Sequence, residues 1–257
     1  MANESVTKTF TVALTLCIVC AVVVSSAAVF LRPAQEANKL LDLKTNILAS
    51  AGLLQEGVDV ETQFEKISVK LVDMDSGTYT NEVDADTYDQ RKASSDPALS
   101  IALNSSEDIA KIKRRANYAK VYIVENEGAI EKVILPIKGY GLWSTLYGFI
   151  ALESDLQTVA GIGFYEHTET PGLGGEVDNP SWKAKWIGKQ AYAKDALVLE
   201  VIKGVVDPAR DADNSQIDGL AGATLTTKGV DNLIKYWLGD NGYGPVIKNL
   251  GEEIKNI

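Results

Sequence analysis

Residues 118–153 read YAKVYIVENEGAIEKVILPIKGYGLWSTLYGFIALE. Two runs rich in Val, Ile and Tyr, YAKVYIV at 118–124 and AIEKVILPI at 129–137, favour the pleated conformation. The polar residues Glu125, Asn126, Glu127 and Gly128 between them predict a hairpin. LWSTLYGFIALE at 142–153 and TVAGIGFYEHTE at 158–169 continue the β-rich pattern. No helical period alternates with these runs. The soluble part therefore reads as α+β, with a mainly antiparallel sheet and flanking helices rather than βαβ units.

Downstream, SWKAKWIGK from Ser181 places Trp182 and Trp186 four residues apart, on one helix face. ALVLEVIKG at 196–204 predicts a further strand. Val230, Leu233, Ile234, Trp237 and Leu238 form an i, i+3, i+4, i+7, i+8 stripe, and Gly239 stands where a C-cap glycine belongs. Upstream, residues 34–51 predict a helix ended by Gly52, VETQFEKI from Val60 a short one, and VKLVDMDSGTYT from Val69 a strand, turn and return strand. Residues 81–109 are polar and turn-rich. SEDIAKIKRRA from Ser106 has acids first and bases last, which predicts a helix matched to its dipole.

Residues 10–31, FTVALTLCIVCAVVVSSAAVFL, carry no charge and are long enough to span a bilayer. A signal-peptide apolar core is usually shorter, about 7–15 residues, so this run reads as an uncleaved anchor. Cys17 and Cys20 lie within it and read as small apolar residues of a membrane helix, not a redox pair. The organisation expected is a flank at 1–9, a transmembrane helix at 10–31 and a soluble domain at 32–257. Within that domain, 32–117 is helix and loop and 118–257 is the core. Lys8 precedes the span and Arg32, Lys39 and Lys44 follow it, a small excess that by charge favours an inside C-terminal domain.

The 257-residue chain is 46% hydrophobic, enough for one sizeable core. Its net charge of −10 makes it a poor partner for nucleic acid, which is held by neutralising phosphates. His167 is the single histidine, and it reads as a hydrogen-bonded surface group beside Glu166 and Glu169. No metal site is expected. Redox or transfer chemistry must be carried by something the chain binds.

Three glycine-rich stretches are candidates for that binding: KGYGLWSTLYG at 138–148, HTETPGLGGE at 167–176 and DGLAGATLTTK at 218–228. None has Walker or Rossmann spacing. Each alone reads as a turn. Together they suit a planar ligand, with glycines allowing close backbone approach and Leu142, Trp143 and Leu173 covering its faces. The helix after Thr227 offers free N–H groups to a phosphate. Lys228 is the only cation nearby, so ion pairing alone would hold a phosphate weakly, whereas an ester to a threonine hydroxyl would anchor it. Thr226 and Thr227 read as helix caps, with Thr224 before the helix. Asp218 reads either as a metal ligand during a transfer reaction or as a cap of the turn.

Asp218-Gly-Leu-Ala221-Gly222-Ala223-Thr224, ETPGLGGEVDNPSWKAKWIGK from Glu169, GLWSTLYGFIALESD from Gly141 and YWLGDNGYGP from Tyr236 resemble the FMN-binding domain family, in the form of the C subunits of sodium-translocating NADH:quinone oxidoreductases. The likeness covers nearly the whole chain. The G subunits of Rnf complexes are a related alternative that generally lacks the GLWS and NPxWxAxWxGK forms. A membrane-anchored module holding a ligand noncovalently is another. The resemblance implies covalent FMN on Thr224 through a phosphoester, and a flavinylation motif of Asp218, Ala221, Gly222, Ala223 and Thr224. The motif departs from the family at Ala221, where Ser or Thr is usual. It also implies cofactor contacts from Leu142, Trp143, Ser144, Thr170, Pro171, Gly172, Leu173, Gly174, Gly222 and Ala223. The implied partners are the other subunits of the complex and, transiently, a flavin transferase using FAD and Mg²⁺. The implied location is the bacterial inner membrane with the domain in the periplasm, against the charge count at the anchor.

Overall fold

In a computed structural model, residues 5–126 and 128–255 are described. The chain divides into two units, 1–43 and 44–257. The first lies on a helix, α1 (Val6–Ser50), that is long and apolar enough to cross a membrane. The apolar span and the helix expected at 34–51 are one continuous helix with Pro33 inside it. Proline removes one backbone donor, and Arg32 pairs with Glu36 across that position at 3.1 Å. Cys17 and Cys20 are exposed free thiols on this helix.

The second unit is built on a five-stranded sheet. In chain order its elements begin with α2 (Val60–Phe64), β1 (Ile67–Asp73), α3 (Gln90–Ala93), β2 (Ser100–Ala102) and β3 (Arg114–Ala116). The central strands follow: β4 (Tyr118–Asn126), β5 (Ala129–Tyr140), β6 (Thr145–Glu153) and β7 (Val159–Glu166). After α4 (Pro180–Lys183) come the short strands β8 (Tyr192–Ala193), β9 (Ala196–Leu197), β10 (Glu200–Val201) and β11 (Gln216–Ile217), then α5 (Thr224–Trp237) and α6 (Gly244–Lys255). The sheet order is β1-β4-β5-β6-β7, and every neighbouring pair is antiparallel. The expected α+β class with an antiparallel sheet and flanking helices is the observed one.

Three local expectations change. Residues 106–116 are not a helix. The Asn104 side chain accepts N–H bonds from Ser106 and Glu107, and Asp108 accepts those of Ile112 and Lys113. These side chains outcompete helical bonding, and Arg114 and Arg115 go into β3. The β4–β5 turn is tighter than expected, since Asn126 already pairs with Ala129; Glu127 lies outside the described residues. The strand expected at 196–204 is two short pieces, because Val198 and Leu199 turn their N–H groups to the Ala191 carbonyl.

Both faces of the sheet are covered. Ser50, at the end of α1, packs so closely on β7 that a Cβ on Gly161 would stand 2.3 Å from its carbonyl oxygen. On the other face, the stripe Val230, Leu233, Ile234 and Trp237 of α5 is buried in one cluster with Val133, Leu135 and Ile137 of β5. Burial of such side chains is worth roughly 1.5–3 kcal/mol each, which seats α5 across β5. The Trp237 indole N–H then donates to the Lys138 carbonyl at 2.6 Å. Gly229 sets the approach, since a Cβ there would lie 2.5 Å from the Tyr140 oxygen. Gly→Ala inside a helix ordinarily gains up to about 1 kcal/mol. Here overpacking, at about 1–3 kcal/mol, opposes it. Gly229→Ala is therefore expected to lower the thermal midpoint of the full chain; an unchanged or higher midpoint would mean that α5 can lift from β5.

Candidate functional site

The loop joining β5 to β6, the loop after β7 and the loop entering α5 meet at one buried carboxylate. Glu169 is 5% exposed. Its Oε1 accepts the N–H groups of Leu142, Trp143 and Ser144 at 3.0, 2.9 and 3.2 Å. Its Oε2 accepts the Thr226 hydroxyl at 2.7 Å. Burial by itself pushes this carboxyl up, but the bonds from Trp143, Thr226, Ser144 and Leu142 outweigh it and hold the group below its ordinary range. Glu169 is thus an ionised hub binding all three glycine-rich stretches. Sequence reasoning misses this role, because a glutamate within a motif carries no local sign of burial.

Two glycines exist because of this hub. A Cβ on Gly141 would stand 2.6 Å from Glu169 Oε1, and one on Gly174 would stand 2.5 Å from the Thr226 hydroxyl and 2.6 Å from Glu169 Oε2. Gly174 and Ala223, expected as ligand contacts, are both buried and serve the packing of the loops. Ser144 is also engaged, its hydroxyl accepting the Thr168 N–H at 2.8 Å. Leu142 is half-buried. Thr170, Pro171, Gly172 and Leu173 form an exposed turn, closed by the N–H groups of Leu173 and Gly175 donating to the Thr170 carbonyl. Gly222, at φ +72°, brings the third loop against Leu173.

The threonines separate. Thr226 and Thr227, expected as caps, are 0% and 4% exposed inside the first turn of α5. Thr227 Oγ1 accepts the Leu220 N–H at 2.9 Å, and Thr226 bonds Glu169. Thr224 is the first residue of α5 rather than a residue before it, and it is exposed. Ala223, at the cap position, gives no side-chain bond, and no acid lies in the first turn. The leading N–H groups of a helix have no acceptor within it and favour an anion. Lys228 is not free to pair with that anion: its ammonium lies 2.8 Å from Asp231, which also holds Lys235.

Asp218 holds the loop entrance. Its carboxylate pairs with Lys185 and accepts the Val206 N–H at 2.7 Å, and the Trp182 indole donates to its carbonyl. Burial raises this carboxyl and those two bonds lower it, with a net shift downward. His167 is mostly enclosed. It takes the Glu169 N–H on Nδ1 at 3.2 Å, which leaves its Nε2 proton for Asp178 at 2.8 Å. Its bonds are structural ones.

Three large apolar side chains face outward on the joined loops: Trp143 at 64%, Leu173 at 44% and Leu225 at 62% exposure. Large exposed apolar groups side by side with a helix N-terminus suit a flat aromatic body with a phosphate tail. The residues present therefore fit FMN.

This fold and site define a flavin-mononucleotide-binding domain, and residues 141–239 match the family model described as FMN-binding domain. The C subunit of the Na(+)-translocating NADH-quinone reductase of Pseudomonas aeruginosa is 55% identical over 256 residues, covering 97% of this chain and 98% of that one. The corresponding protein of Vibrio alginolyticus is 48% identical over 247 residues, covering 95% of each. The crystal structure of Shewanella oneidensis NqrC superposes with a TM-score of 0.77 at 33% identity, over 84% of this chain and 99% of that one. The chain belongs to the family of C subunits of Na(+)-translocating NADH-quinone reductases, not to the Rnf-type alternative.

Proposed function

We propose that this chain is the covalent-flavin, single-pass member of a Na⁺-translocating NADH:quinone reductase, with FMN esterified to Thr224. The carrying observation is the sorting of hydroxyls at α5. Thr226 and Thr227 are buried and bonded, while Thr224 is exposed beside unclaimed helix N–H groups. In flavinylation, Thr224 Oγ attacks the FMN phosphorus of FAD on a transferase with Mg²⁺. The Oγ–P bond forms, the bond to the AMP phosphate breaks, and the hydroxyl proton is lost. Ala221 and Gly222 are exposed and leave the transferase room.

FMN, when bound, supplies acceptance and return of electrons one at a time. The chain's own residues do the rest. The N-terminus of α5 holds the phosphate. Trp143, Leu173 and the turn 170–172 cover the ring system and limit water. Glu169 keeps those loops in register. The chain so equipped relays electrons from NADH toward ubiquinone among its partner subunits, and the complex couples that flow to Na⁺ export. The helix 10–31 anchors it in the bacterial inner membrane, with 32–257 as a periplasmic domain and 118–257 as its flavin-binding core.

The test is co-expression of the full chain with the transferase, followed by a denaturing gel. A fluorescent flavin band is expected, with a mass increment of FMN less water; a dark band overturns the proposal and favours a noncovalent module. Ala221→Ser is expected to keep flavin occupancy at or above the parent level by the same mass measurement, since position 221 is exposed. A fall in occupancy would show that Ala221 has a role of its own.

A further inference from the structure

Beside the β5–β6 loop, α3, residues 111–113, β5 and β6 line a half-open cavity of about 610 Å³. That volume is in the range of small-molecule sites, about 300–1,000 Å³. Its charged lining is wholly basic: Arg91, Lys92, Lys111, Lys113 and Lys138. This concentration stands out in a chain of net charge −10. Two of the cations are matched from outside the lining. Arg91 is bidentate to Glu166 at 2.7 and 2.8 Å and lies 3.8 Å over the Tyr147 ring, and Lys92 pairs with Asp89 at 3.2 Å.

The other three have no carboxylate partner among the described residues. Lys111 and Lys113 are exposed at the rim, in left-handed backbone at φ 54° and 64°. Asp108 is spent on the N–H groups of Ile112 and Lys113, not on either ammonium. Lys138 is half-buried and donates to the Ser94 hydroxyl at 2.7 Å. Burial, and then the neighbouring Arg91, pull its ammonium down to about 8 against the attraction of Asp108. Ser94, Ser95, Tyr140, Thr145 and Tyr147 complete the polar lining, the two serine hydroxyls donating to the Arg91 carbonyl.

We infer that this cavity binds a small soluble anion carrying clustered phosphate oxygens, held by Lys111, Lys113 and Lys138. A half-open basin with two lysines at its rim and a third in its wall suits compact anionic oxygens, each ammonium making a charge-assisted bond. The exposed Tyr140 ring at its edge offers a surface to a base, so the phosphates come either alone or on a nucleotide. Tyr140 also donates its hydroxyl to the Trp143 carbonyl at 3.3 Å, so occupancy would be felt at the flavin loop. The site is independent of the Thr224 ester, and its test does not need flavin.

The test is calorimetric titration of the detergent-solubilised full chain, made without transferase, with inorganic pyrophosphate and with ADP. Saturable 1:1 binding of pyrophosphate is expected. Lys111→Gln/Lys113→Gln and, separately, Lys138→Gln should each weaken it at least about tenfold, whereas Lys203→Gln, outside the lining, should not. Unchanged thermal midpoints exclude unfolding of the variants. ADP binding tighter than pyrophosphate assigns a nucleotide; equal affinity assigns phosphate oxygens alone. No saturable binding, or binding indifferent to the lining variants, overturns the inference and leaves the lysines as a docking face for an acidic protein surface.

Discussion

Thr224→Ala is expected to abolish covalently bound flavin, with no fluorescent band and no mass increment, while leaving the apo fold intact. Thr224 is exposed at the first position of α5, and surface substitutions of this kind usually change stability by less than about 0.5 kcal/mol. Thr224→Ser keeps an oxygen in place and should retain attachment. The controls are Thr226→Val and Thr227→Val. Each removes a buried hydroxyl bond, to Glu169 or from the Leu220 N–H, and an orphaned buried group costs roughly 1–3 kcal/mol. Those two variants should therefore melt lower yet still carry flavin in their folded fraction. Flavin retained on Thr224→Ala would move the ester to another hydroxyl and contradict the proposed role.

The second large effect belongs to Glu169. Glu169→Ala withdraws the acceptor of three loop N–H groups and of Thr226 at once. With water refilling part of the space, the cost is on the order of 3 kcal/mol. For a chain of this size that corresponds to about 6–12 °C in the thermal midpoint. Flavin attachment should fall with it, because the loops carrying Trp143, Leu173 and Thr224 lose their common tether. Glu169→Gln keeps one acceptor oxygen and should fall between parent and alanine.

The acid dependence has a defined sign. The folded carboxyl is held below its ordinary 4.5 by hydrogen bonds that overcome burial. A depressed folded value adds stability that is full above the unfolded value and is lost as pH falls through the folded one. The gap in midpoint between the parent and Glu169→Gln should therefore be widest above about pH 5 and shrink in more acid solution. A gap independent of pH would mean that the charge on Glu169 adds nothing to the tether.

The hairpin at 118–137, the strands after it and the amphipathic stripe 230–238 are legible in the sequence because each is a local period that burial then enforces. The span 10–31 is legible for a simpler reason, an uninterrupted apolar run. Residues 106–116 mislead because helical charge order is a weak preference, and Asn104 and Asp108 offer the backbone stronger local bonds. The glycines of the three loops suggest room for a ligand. At Gly141 and Gly174 the room is taken by Glu169 and Thr226.

By itself the sequence determined the antiparallel sheet, the anchor-length helix and a motif that sets Thr224 apart from Thr226 and Thr227. The tertiary structure alone decided which of those hydroxyls are buried and bonded. Thr224, Thr226 and Thr227 are chemically equal along the chain. Only the seating of α5 on β5 turns two of them inward, to a carboxylate 57 residues from Thr226 and to the Leu220 N–H, and leaves the third outside. Which partners bury the other two depends on what each meets across the fold, a carboxylate from a distant loop and the Leu220 N–H.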